Sequence, residues 1–255
     1  MNTTANGTQG VNPVFRKVVD EKLDSLVHRF YTTIPFASHQ MATRDLNIAY
    51  YKRHTIETIL RIRRKRSINA LVLHYLTRHD SRQAKAWAQY IEEEMLHDEL
   101  FAKDLERLGV SHEEIDNQEP FLATKLLIGY FTHTLDYEGP MASIASTYFL
   151  EYAAKKTQPA WIENLEKLLG AEKIRGARTH VDYDIGEGHP HFVWNVLMSL
   201  VRTSDDETRV LLHMDHWYGL FCAYFTELYD ATVTGDRSEA AIQAPIVAIR
   251  NANIA

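Results

Sequence analysis

Along nearly the whole chain, apolar residues recur at intervals of three and four, and no stretch alternates them in twos convincingly enough to make a strand. That period constrains the fold more than any other feature. Pro13 opens residues 14–31, where Phe15, Val18, Val19, Leu23, Leu26 and Val27 form one apolar face. After the break at Ile34-Pro35-Phe36, helical patterns cover 38–66 and a shorter apolar piece, 67–77. Ser81 is placed to N-cap a run over 81–108 that ends at Gly109, and Ser111 with Glu114 has capping-box spacing for 111–116. Pro120 starts 121–137, apolar nearly all round and therefore expected to lie centrally. Gly139-Pro140 ends it. Helices over 141–156, 160–169 (opened by Pro159), 171–187, 191–201 (opened by Pro190) and 205–231 complete the pattern. The expectation is one all-α domain over 13–232, with a loose polar tail at 1–12 and a poorly ordered one at 233–255.

Composition narrows the functional classes. The net charge of -6 gives no sign of a nucleic-acid partner. One cysteine, Cys222, excludes an intrachain disulfide framework and any all-cysteine metal site, which fits a reducing compartment and makes a cytoplasmic location the expectation. No apolar run approaches the ~20 residues that span a bilayer, so no membrane partner is expected. The polar N-terminal stretch lacks the apolar core of a signal peptide.

The chemistry concentrates in three places. In Glu92-Glu93-Glu94-Met95-Leu96-His97, helical spacing lets His97 project beside Glu94 or Glu93, an imidazole next to a carboxylate. A solvated acidic face would carry the same letters, so the later helices have to supply matching ligands. Glu151 sits in the otherwise apolar or small-residue turn Tyr148-Phe149-Leu150-Glu151-Tyr152-Ala153-Ala154, where an ionised carboxylate is costly without a partner. The third place is His180-Val181-Asp182-Tyr183-Asp184-Ile185-Gly186-Glu187-Gly188-His189. At roughly 100° per residue, Asp184 lies ~40° from His180 and Glu187 ~20° on the other side, forming one stripe. His189 joins them only if Gly186, Gly188 and Pro190 interrupt the helix. Glu94, His97, Glu151, His180, Asp184 and one of Glu187 or His189 are therefore the candidate ligands. Mixed imidazoles and carboxylates suit iron or manganese, and six such residues on three helices suit a dinuclear centre.

Glu94-x-x-His97, Glu151 and His180-x-x-x-Asp184, in this order, resemble the ligand pattern of the haem-oxygenase-like diiron oxidases and oxygenases. The resemblance covers about residues 15–230. It departs from the family at the last ligand, where Glu187 stands in place of a histidine three residues after the aspartate. The resemblance implies a haem-oxygenase-like bundle of about seven core helices, two Fe(II) ions and O2 as co-substrate. It also implies a small amino-acid-derived amine substrate undergoing N-oxygenation or oxidative C–C cleavage in a biosynthetic pathway. The Glu94–His97 spacing looks most like the fatty-acid decarboxylase branch, which is the main alternative; metal-free thiaminase-like or cofactorless enzymes share the fold. An external electron donor and a homodimer are further expectations. Arg53, Arg61, Lys155 and Arg178 are each candidates to meet a substrate carboxylate, while the basic cluster Arg61, Arg63, Arg64, Lys65 and Arg66 reads first as a solvated face at a helix C-terminus, with a docking patch for an acidic partner or a carboxylate anchor as the alternatives.

Overall fold

The computed structural model describes residues 13–187 and 189–235, with side chains over 14–183 and 191–235. No strand occurs among them. The tail expected at 1–12 lies outside the described residues, as do residues 236–255 of the tail expected at 233–255, whose first two residues instead belong to the turn that closes the last helix.

The chain begins with α1 (Pro13–Thr33) and the short α2 (His39–Ala42), followed by the long α3 (Ile48–His79). Then come α4 (Ser81–Glu94), α5 (His97–Arg107), α6 (His112–Asp116) and α7 (Leu122–Tyr137). The second half holds α8 (Met141–Leu169), a 3-10 turn (Ala171–Ile174), α9 (Arg175–Glu187), α10 (His189–Leu200) and α11 (Ser204–Tyr229), which closes in a π turn (Asp230–Thr234).

Local signals explain most boundaries. Ser111 and Glu114 form the expected capping box on α6. The left-handed Gly109 (φ +80) ends α5 in a Schellman arrangement, with Val110 N–H bonding Leu105 and Gly109 N–H bonding Glu106. Asp80, not Ser81, caps α4, accepting from the backbone N–H groups of Arg82 and Gln83.

Three further expectations are corrected. The pieces 38–66 and 67–77 do not divide where expected, because the chain breaks at 43–47, between α2 and α3, and α3 then runs unbroken through Ser67. Its basic stretch therefore lies mid-helix, not at a C-terminus. Pro159 likewise does not divide α8. A proline inside a helix costs ~3 kcal/mol, but beyond it Ile162 and Leu165 are fully buried. Asn164 also donates to the carbonyls of Gln40 and Thr43, so tertiary packing carries the helix past the break. Conversely, 81–108 is two helices, broken at Met95 and Leu96.

The buried side chains form two clusters. The larger gathers α1, α4, α7, α10 and α11 around Trp87, Phe131, Tyr148, Trp194 and Trp217. The smaller packs α5 and α9 through Phe101, Leu105, Ala177 and Val181. Both α3 and α8 contribute to both clusters. These two long helices need their uninterrupted length to tie the clusters together.

Candidate metal centre

The Glu94-x-x-His97 pair straddles the junction between α4 and α5. Met95 N–H reaches only Glu92 O, at 3.4 Å, and Leu96 leaves helical geometry (φ -120, ψ 16). The break turns Met95 and Leu96 outward, to 39% and 57% exposure, while His97 is buried. His97 Nδ1 lies 2.8 Å from Glu94 Oε2. Behind it the buried Asp98 binds Arg63 of α3 at 2.9 Å and also pairs with Arg66, which pins the start of α5 against α3. The Asp98 carboxylate is thus committed to arginines, and Asp182 is exposed and lies 3.7 Å from Arg178.

His180 arrives from α9 because two features bring α9 unusually close to α5. Asp104, almost fully buried, accepts the backbone N–H groups of Gly176 and Ala177 at 2.8 and 2.7 Å. This satisfies two donors that the first turn of α9 leaves without helical partners. Burial raises the Asp104 pKa, although these N–H groups and Arg107 oppose that shift. A Cβ on Gly176 would stand 2.0 Å from the Leu100 carbonyl oxygen, so only glycine allows this approach. One turn later the His180 ring packs against His97 (centroids 4.4 Å apart) and Phe101 (5.1 Å). One ligand atom from each of Glu94, His97 and His180 then lies within 4.8 Å of the others.

Glu151 of α8 is 8% exposed and accepts the Tyr90 hydroxyl at 3.1 Å. Tyr90 lies one turn before Glu94 on the same face of α4, a link that sequence patterning did not single out. Glu94, Glu151 and His180 all border a cavity of about 350 Å³. The side chains of Asp184, Glu187 and His189 lie outside the described residues.

Phe131, Phe149, Trp217, Tyr218 and Phe221 line the same cavity, whereas Tyr130, Tyr148, Tyr152 and Trp194 pack elsewhere. The basic cluster splits by function. Arg63 and Arg66 hold Asp98, Arg64 is exposed, and Arg61, Lys65 and Arg66 reach the cavity. His54 borders the cavity with Nδ1 2.7 Å from the Tyr224 hydroxyl, and burial pushes its pKa down to about 3.

A family model described as iron-containing redox enzyme matches residues 63–218. The chain belongs to that family. The matched span contains Glu94, His97, Glu151 and His180, so in this iron-containing redox enzyme the clustered donors fall within the family's own region. A crystal structure of a domain of unknown function with a heme oxygenase-like fold, from Shewanella denitrificans OS217, superposes with a TM-score of 0.74 at 17% identity. It covers 85% of this chain and 92% of that one. The single all-α domain of this redox enzyme therefore has the haem-oxygenase-like fold. No curated protein matches the sequence.

The donors fit the family's metal. Two imidazoles and a carboxylate form a nitrogen–oxygen set of the kind iron accepts, with no thiolate. Cys222 is buried, and burial pushes its thiol up to about 11, so it is not an activated nucleophile. His213 and His216, the other histidine pair, both face the Tyr130 hydroxyl from α11, at 2.7 and 3.3 Å. That contact ties α11 to α7.

Proposed function

We propose that this chain is an O2-dependent non-haem iron oxidase or oxygenase with a dinuclear site, acting on a small organic substrate held in the 350 Å³ cavity. The observation that carries this reading is the convergence of Glu94, His97 and His180 from three helices, with one ligand atom of each within 4.8 Å, beside the cavity that Glu94 and His180 line. These three would hold one iron. Glu151 would serve the second, together with Asp184 and one of Glu187 or His189. Bound iron supplies the activation of O2, and an external electron donor would return the site to its ferrous form.

The protein's own groups have separate tasks. Tyr90 holds Glu151 in one orientation through its hydroxyl. Arg63 and Arg66 fix Asp98 and with it the start of α5 that carries His97. Phe131, Phe149, Trp217 and Phe221 give the cavity an apolar wall that limits water around a reacting substrate.

An amino-acid-derived amine remains the proposed substrate, oxidised at nitrogen or by C–C cleavage. A fatty-acid-like substrate is the second reading, and a specific observation favours it. Among the described residues, the acids lining the cavity are Glu94 and Glu151, both assigned to metal, which leaves no separate carboxylate for a substrate ammonium. Aerobic incubation of the iron-loaded protein with each class, followed by mass spectrometry of the products, separates the two. If neither class consumes O2 above the background of the His180→Ala variant, the oxygenase reading fails.

A further inference from the structure

The cavity has two chemically different sides. Glu94, Glu151 and His180 face it from α4, α8 and α9, whereas the cations Arg61 and Lys65 enter it from one face of α3, a single turn apart, beside His54 and an Arg66 already held by Asp98. Neither cation pairs with a carboxylate among the described residues. The Arg61 guanidinium lies over the Tyr224 ring at 4.2 Å and donates to Thr58 Oγ1 at 3.0 Å. Its Nη1 is buried and has no hydrogen-bond partner there. The Lys65 ammonium sits 4.0 Å from the Phe131 ring centroid and donates to Ser143 Oγ. Two cations kept in an aromatic-walled cavity with donor capacity to spare carry a large desolvation cost unless an anion joins them.

The other cationic candidates are already committed or outside the cavity. Arg53 binds Glu57 at 2.5 Å and Gln118, Arg178 is held by Glu166, and Lys155 is exposed.

We propose that Arg61 and Lys65 form the anchor for the carboxylate of the substrate, which leaves the far end of an apolar body at the Glu94–His97–His180 cluster. The inference rests on that cluster being the reacting end, but not on its metal content. Spacing along α8 sets the scale. Ser143, beside Lys65, lies eight residues before Glu151, which places the two levels roughly 12 Å apart along the helix. The substrate would therefore be a carboxylic acid whose oxidised atom is remote from the acid group. Burial lowers the Lys65 pKa to about 7, and a bound carboxylate would favour its charged form. Both a fatty acid and an amino acid present this head group.

The test is calorimetry on the full chain, metal-free and Fe(II)-loaded, with octanoate, octanamide, L-phenylalanine and L-phenylalaninamide. At least one acid should bind, and its amide should bind at least tenfold more weakly. Arg61→Gln and Lys65→Met should each weaken that acid at least tenfold, while Lys65→Arg restores binding and all three take up Fe(II) as the wild type does. Tighter octanoate binding identifies a fatty acid as the source of the carboxylate, and tighter phenylalanine binding an amino acid; either supports the anchor. Equal binding of acid and amide, unchanged binding by both charge-removing variants, or no binding of either acid overturns it. If an acid binds as expected while the wild type takes up no iron, the metal reading falls and the anchor stands.

Discussion

At the scale of single residues, the site depends on a few contacts that fix side-chain direction. His180→Ala removes one of two imidazoles that a metal would share with Glu94, and the expected outcome is loss of Fe(II) binding with helical circular dichroism retained. Tyr90→Phe removes the hydroxyl that holds Glu151. Losing a partner that orients a ligand typically weakens metal affinity by about 10–100-fold, and a competitive chelator titration measures this. Glu94, His97 and His180 were legible in the sequence because helical spacing and ligand chemistry pointed to the same positions. Tyr90 was not, because a tyrosine on an apolar face reads as core until its hydroxyl is placed. The arginine partners of Asp98 were hidden for a similar reason. A basic run looks like a solvated surface until one sees that α3 continues beyond it.

At the scale of elements, the contact of α5 with α9 decides whether the site assembles. Gly176→Ala sets a methyl group 2.0 Å from the Leu100 carbonyl oxygen, so α9 must move away. The expected outcome is loss of Fe(II) binding together with a lower thermal midpoint. Asp104→Ala leaves two buried N–H groups at the start of α9 without their acceptor, which costs about 1–3 kcal/mol for each. Denaturant unfolding measures the loss, and Asp104→Asn, which retains one acceptor oxygen, should lose less. Sequence patterning placed α9 and its stripe but gave no sign of how near α5 lies, since Gly176 and Asp104 act on each other's helices across some seventy residues of chain. The break at Met95 and Leu96 was also hidden, because both residues are good helix formers. Pro159 misled in the opposite sense, since the packing that carries α8 past it comes from distant residues.

At the scale of the whole molecule, the stability of the two-cluster bundle should depend on pH through its buried neutral histidines. Burial lowers the pKa of His213 to about 4 and of His54 to about 3, against an ordinary value near 6.5. Between those values the unfolded chain binds protons that the folded chain refuses. Stability therefore falls as pH drops below ~6.5, by roughly 3 kcal/mol for His213 alone near pH 4. Thermal midpoints measured from pH 7 to pH 4 should decline, and the decline should be shallower in His213→Gln. The all-α class and the haem-oxygenase-like fold were legible as a whole because period, punctuation and ligand order agreed. The division into two clusters joined by α3 and α8 was not, because it depends on which long helices stay intact.

The proposed dinuclear iron site is built on Glu94, His97 and His180. Its test is anaerobic titration of the metal-free protein with Fe(II), followed by rapid mixing with O2 and optical spectroscopy. Uptake near two irons per chain, an O2-dependent visible band, and loss of both in His180→Ala are expected. No iron uptake, or a single iron unaffected by His180→Ala, would contradict the proposal.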